Sequence, residues 1–176
     1  MLPGDGSPRE RVHAMIRVDH AGEYGARRIY EGQLAVLGAT ASGPAIRHMA
    51  RQEERHLARF DALVVERRVR PTVLAPVWHA AGFALGVGSA LLGPQAAMAC
   101  TEAVESVIDE HYAAQAQALG DDEADLRATI EEFRAEEAQH RDTAVEHGAR
   151  EAPGYEVLSG AIRAGTRLAI WLSSRV

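Results

Sequence analysis

A pattern that occurs twice constrains this chain more than any other feature. Glu23 lies 30 residues before Glu53, which is followed three positions later by His56. Glu105 lies 32 residues before Glu137, which is followed three positions later by His140. On a helix, positions i and i+3 share a face, so each Glu-x-x-His step aims a carboxylate and an imidazole the same way. A third step, Glu10/His13, has no glutamate before it and lies close to the first residue. With 25 acidic residues and 8 His in the chain, single steps arise by chance. The doubled arrangement is the informative one. It predicts two antiparallel helix hairpins, each supplying Glu and then Glu-x-x-His.

The rest of the chain agrees with that reading. Helices are expected over residues 9–37, 44–69, 95–119, 122–148 and 153–174, with breaks at Gly38, Pro71, Gly120 and Gly148. Counting back from each turn, Glu105 and Glu137 arrive at the same height. Glu23 and Glu53 are out of step by three residues, about 5 Å at the rise of a helix. Strand signals are scarce, so the fold expected is an all-α antiparallel bundle.

A chain of 176 residues is long enough for one domain with a real core. Apolar residues at 47% and charged residues at 25% exclude disorder as the main state. The net charge of -6 argues against a nucleic-acid partner. The acidity lies in the second half, whereas Arg67, Arg68 and Arg70 form a basic cluster before the midpoint. The single cysteine, Cys100, excludes an intrachain disulfide framework. Residues 1–10 are expected to be a flexible segment without the features of a signal or transit peptide, and 11–176 a single domain.

Residues 71–101 contain no Asp, Glu, Lys or Arg. An apolar helix is expected at about 73–91, bracketed by Pro76 and Gly93 and weakened by Gly82, Gly86 and Gly88. Sixteen residues of helix span about 24 Å, short of the roughly 30 Å of a bilayer core. A membrane span is therefore the poorest of three readings. A buried core helix and a helix lying in the membrane interface stay open. The adjacent arginines favour the interface. Trp78 and Trp171 read as core positions.

Four Glu and two His from four helices are the ligand set of a di-iron or di-manganese carboxylate bundle. Four carboxylates offset the charge of two divalent ions. Gln52 and Glu136, four residues before the two histidines, are candidates to orient the imidazoles, and Asp19 is a third such candidate. Tyr112, two turns after Glu105, is a candidate for lining a substrate pocket.

The strings RVDHAGEYGARRIYEGQ (17–33), RQEERHLARF (51–60), RVRPTVLAPVW (68–78), FALGVGSALLG (83–93), AMACTEAVE (97–105), FRAEEAQHRD (133–142) and the closing RAGTRLAIWLSSRV resemble the demethoxyubiquinone hydroxylase family. These are ferritin-like di-iron monooxygenases of ubiquinone biosynthesis. The resemblance implies metal ligands at Glu23, Glu53, His56, Glu105, Glu137 and His140. Glu102 rivals Glu105 one turn earlier, and the family pattern selects Glu105. It also implies a ferritin-like four-helix bundle with an added apolar helix and a C-terminal helix. The reaction implied is ring hydroxylation of a polyprenyl-methoxy-methyl-benzoquinol, with two iron ions (Fe2+) per chain and O2 as co-substrate. An external two-electron reductant is required, NADH or the reduced quinone itself; the chain has no Gly-rich dinucleotide fingerprint. The partners implied are the quinol, a membrane surface, other ubiquinone-biosynthesis enzymes and a second copy of the chain. The location implied, for a bacterial protein, is the cytoplasmic face of the inner membrane. Two other readings use the same six residues: an iron-handling or peroxide-reducing ferritin-like protein, and a non-catalytic quinone-binding scaffold.

Overall fold

The computed structural model describes residues 7–176. Six helices follow one another: α1 (Pro8–Leu37), α2 (Gly43–Glu66), α3 (Ala75–Leu91), α4 (Pro94–Ala118), α5 (Ala124–Glu146) and α6 (Tyr155–Ser173). No strand occurs among the described residues. Residues 1–6 of the segment expected to be flexible lie outside the described residues. Ser7 already caps α1: its hydroxyl accepts from the Glu10 N–H, and the Glu10 carboxylate accepts from the Ser7 N–H at 2.7 Å. This capping box employs Glu10 at the helix start, and His13 accepts from Arg9. The third Glu-x-x-His step is thus helix-end chemistry.

α1 and α2 form one hairpin and α4 and α5 the other. Their apolar residues fall into two layers. Ile16, Phe60, Leu63, Leu126, Ile130 and Phe133 fill one end of the bundle. Ile46, Met49, Ala97, Met98 and Ala144 fill the other. Along all four helices the expected ligands lie between these layers, so a buried polar stratum is sandwiched by packed hydrocarbon.

α3 lies along α1 through its small residues. A Cβ on Gly86 would overlap the Ile29 carbonyl, and one on Gly32 would overlap the Phe83 carbonyl. The two backbones therefore touch, which a larger side chain on either glycine would prevent. Gly82 and Gly86 are buried on this seam and Ser89 and Ala90 are buried as well, whereas Val77, Phe83, Leu91 and Leu92 are exposed. The reading of α3 as an enclosed core helix is excluded, because Val77, Phe83 and Leu91 on it are exposed. No helix is long and apolar enough to cross a membrane among the described residues. α6 packs on α4 and leaves Val157, Leu168 and Trp171 exposed. Trp171 is therefore not a core residue. Its guanidinium neighbour Arg175 lies 4.1 Å above the ring.

Candidate metal centre

Six side chains converge at the middle of the bundle, and all are buried: Glu23 from α1, Glu53 and His56 from α2, Glu105 from α4, and Glu137 and His140 from α5. They form two overlapping clusters. Glu23, Glu53, His56 and Glu137 surround one position; Glu53, Glu105, Glu137 and His140 surround the next. Within each cluster the offered atoms lie within 4.8 Å of one another. Glu53 and Glu137 belong to both, so either could serve both positions.

The donor atoms themselves favour a cation pair. Glu23 Oε2, both oxygens of Glu53, Glu105 Oε2, Glu137 Oε1 and His56 Nδ1 are buried without hydrogen-bond partners. Orphaned buried oxygens on this scale are costly unless something else meets them. The set is oxygen and imidazole, which suits iron or manganese. His56 turns Nδ1 toward Glu137 at 3.1 Å and Glu23 at 3.4 Å. His140 turns Nδ1 toward Glu137 at 2.9 Å and Glu53 at 3.2 Å.

Without a cation, protons hold the cluster together. Burial, reinforced by repulsion from Glu137, pushes Glu53 and Glu105 well above the usual carboxylate range. Burial alone would lower both histidines. The carboxylates that face them, Glu137 first, override it and lift His56 to about 12 and His140 to about 10. Burial would likewise raise Glu137, but the two imidazoles hold it at about 2.

Around this layer the two hairpins support each other reciprocally. Tyr112, seven residues after Glu105, donates its hydroxyl to Glu23. Tyr30, seven residues after Glu23, donates to Glu105 at 2.8 Å. The outer nitrogens of the imidazoles follow the same rule. Glu136 lies 2.7 Å from His56 Nε2, and Gln52 Oε1 lies 3.1 Å from His140 Nε2. Gln52 and Glu136 thus serve the histidine of the opposite hairpin and not the one four residues on. Helix periodicity shows only which residues share one helix face, and these contacts run between helices. Asp19 reaches neither histidine ligand; it accepts from Gln115 Nε2 at 2.8 Å and lies 3.3 Å from His111 Nε2. Burial raises its pKa.

Glu102 faces away from the centre. Arg163 donates to both its oxygens, at 3.0 and 2.8 Å, and Tyr155 donates at 3.0 Å. It clamps α6 to α4, which leaves the central position to Glu105.

This geometry is matched by sequence likeness along nearly the whole chain. The profile described as "Ubiquinone biosynthesis protein COQ7" covers residues 10–173. The chain belongs to the COQ7 family. The 3-demethoxyubiquinol 3-hydroxylase of Rhodospirillum rubrum is 61% identical over 99% of this chain and 83% of its own length. The Homo sapiens NADPH-dependent 3-demethoxyubiquinone 3-hydroxylase is 52% identical over 98% and 81%, respectively. The 5-demethoxyubiquinone hydroxylase of Saccharomyces cerevisiae is 41% identical over 92% and 77%. COQ7 relatives carry hydroxylase names, so the iron-handling and scaffold readings lose their support. The name of the human relative describes that protein as NADPH-dependent.

An apolar groove of ≈ 340 Å³ lies between α1, α3, α4 and α6, and its lining includes Gly22 and Val104, the chain neighbours of Glu23 and Glu105. Ala26 and Ile29 of α1, Trp78 and Leu85 of α3, Val104 of α4 and Ile170 of α6 line it. Trp78 is a groove residue, its indole N–H donating to Ser173 Oγ at 2.9 Å. Tyr112 does not line this groove. It is buried against Glu23 and Phe60 instead. Tyr30 was not singled out by the sequence reading, although its distance from Glu23 repeats that of Tyr112 from Glu105.

Proposed function

We propose that this COQ7-family chain is a di-iron monooxygenase that hydroxylates the ring of a polyprenyl demethoxyubiquinol in ubiquinone biosynthesis. The observation that carries the reading is the pair of carboxylate–imidazole clusters with unpartnered buried oxygens, together with the apolar groove. Glu23, Glu53, His56 and Glu137 would hold one iron, and Glu53, Glu105, Glu137 and His140 the other. Bound iron supplies activation of O2. The balance is one ring C–H, O2, two electrons and two protons giving one ring C–OH and one water. The electrons come from a nicotinamide or from the quinol itself.

The protein's own residues order this chemistry. Tyr112 and Tyr30 fix the orientation of Glu23 and Glu105, and Glu136 and Gln52 fix the rings of His56 and His140. The groove walls, made of Val104 beside Glu105 and of Ile29 beside Tyr30, suit a quinol ring and the start of its isoprenoid tail.

Peripheral attachment to the membrane that holds the quinol, on its cytoplasmic face in a bacterium, belongs to the same proposal. Its support is the exposed apolar set Val77, Phe83, Leu91, Leu168 and Trp171 on α3 and α6, with Leu92 just after α3; both helices contribute to the groove. The basic contribution is smaller than the sequence suggests, because Arg67 is held by both oxygens of Glu123. The test is the quinone pool of cells lacking this protein. Accumulation of the demethoxy intermediate is expected, and an unchanged pool overturns the reading.

A further inference from the structure

The two hairpins repeat each other closely enough for their differences to be informative. Measured from Glu23 and from Glu105, Tyr30 corresponds to Tyr112 and Gln33 to Gln115. Gln115 Nε2 donates to Asp19, four residues before Glu23. Gln33 Nε2 donates to the Ala97 carbonyl and reaches Thr101 Oγ1 at 3.4 Å, and Thr101 is four residues before Glu105. The frame is kept while the side chains at corresponding places differ. Asp19 stands opposite Thr101, His111 opposite Ile29, and Glu136 opposite Gln52.

Every acidic member of these pairs falls on the same side. His56 has a carboxylate, Glu136, 2.7 Å from its outer nitrogen. His140 has a neutral amide oxygen, Gln52, at 3.1 Å. A carboxylate on the outer nitrogen fixes the ring and raises the basicity of the metal-facing nitrogen more than an amide does. Asp19 adds a second buried carboxylate one turn from Glu23, whereas Thr101 is uncharged and the buried carboxylate one turn from Glu105, Glu102, is met on both oxygens by Arg163. Two cationic groups temper the difference. Arg55 also binds Glu136, but its side chain is about half exposed, and water screens its charge. His111 meets Asp19 from a partly exposed position.

Resting on the di-metal reading above, we propose that the two metal positions are unequal. The position held by Glu23, Glu53, His56 and Glu137 takes its ion first and more tightly. The position held by Glu53, Glu105, Glu137 and His140 fills second and is the one that empties. Glu136 acts here as a positioning residue through His56, and the neutral Gln52 keeps the second position weaker.

Titration of the metal-free 176-residue chain with Mn2+, followed by equilibrium dialysis and electron paramagnetic resonance, tests this without reference to turnover. Wild-type protein should bind in two steps whose dissociation constants differ by roughly 10–100-fold, the range set by an outer-partner change. The spectrum should be of isolated Mn2+ at one equivalent and of a coupled pair at two. Glu136→Gln should weaken the tight step and narrow the gap. Gln52→Glu should strengthen the weak step and narrow it from the other side. This second variant adds a ligand-orienting charge, so a fold damaged by loss of Glu136 does not decide the matter. Two equal steps in the wild type, or a gap unmoved by both variants, overturn the proposal and leave the di-metal reading standing. Failure of the wild type to take a second ion overturns that reading and the proposal with it.

Discussion

Tyr30 donates a hydrogen bond to Glu105 at 2.8 Å across 75 residues of chain. With Tyr112 bound to Glu23, each hairpin thereby supplies the phenol that steadies the other hairpin's lone glutamate. A hydrogen bond to a charged group contributes about 1.5–3 kcal/mol. Tyr30→Phe keeps the ring and removes the donor, so helical content should be unchanged while iron retention against a chelator falls by roughly tenfold. Retention equal to wild type would show that the phenol plays no part in holding the site.

Glu102 and Glu105 are one turn apart and do different work. Glu102→Gln weakens the clamp from Arg163 and Tyr155 and should cost about 1–3 kcal/mol of stability, read as a lower Tm. Iron content and most hydroxylation should remain. Glu105→Gln should lose both. The reverse result would place the wrong glutamate at the centre.

The metal-free protein should be sensitive to alkali. His56 and His140, raised to about 12 and about 10, contribute stability that is fully present below the unfolded histidine value near 6.5. That stability is lost as the pH rises toward 10 and beyond. The Tm of the metal-free chain should fall over this window. Iron-loaded protein should be much flatter, because the ions replace the protons. Parallel curves for the two forms would contradict the assignment of those protons to the ligand cluster.

Gly86→Leu forces a side chain against the Ile29 carbonyl on the α1–α3 seam. Overpacking of this kind costs about 1–3 kcal/mol. A lower Tm with unchanged iron content is expected. Turnover of long-tailed quinols should fall, because α3 walls the groove.

Leu91, Leu92 and Trp171 are 71%, 69% and 52% exposed, so changing them to Ser together should barely alter the Tm. Co-sedimentation with anionic phospholipid vesicles should drop severalfold. Vesicle binding equal to wild type would exclude these residues from the membrane contact.

The six central residues were legible because Glu-x-x-His obeys helix periodicity and occurs twice at similar spacing. The choice of Glu105 over Glu102 needed the family pattern, since both share a face and only Arg163 shows which one is already occupied. Tyr30 carried the same seven-residue offset as Tyr112, a signal available from the repeat. The crossing of Gln52 to His140 and Glu136 to His56 was not legible, because it depends on how the hairpins face each other. The uncharged stretch at α3 was ambiguous for a similar reason. Composition is the same for an enclosed and a half-covered helix. The four-residue spacing of Gly82 and Gly86 marks the seam only once α1 is known to lie on it.

The central claim is that these clusters hold iron for ring hydroxylation. Iron-loaded protein, a demethoxyubiquinol, a nicotinamide reductant and isotopically labelled O2 should yield a quinol carrying one labelled ring oxygen by mass spectrometry. Glu53→Ala and Glu137→Ala should give none. No hydroxylated product from the loaded wild type, or an unlabelled oxygen in the ring, would contradict the account.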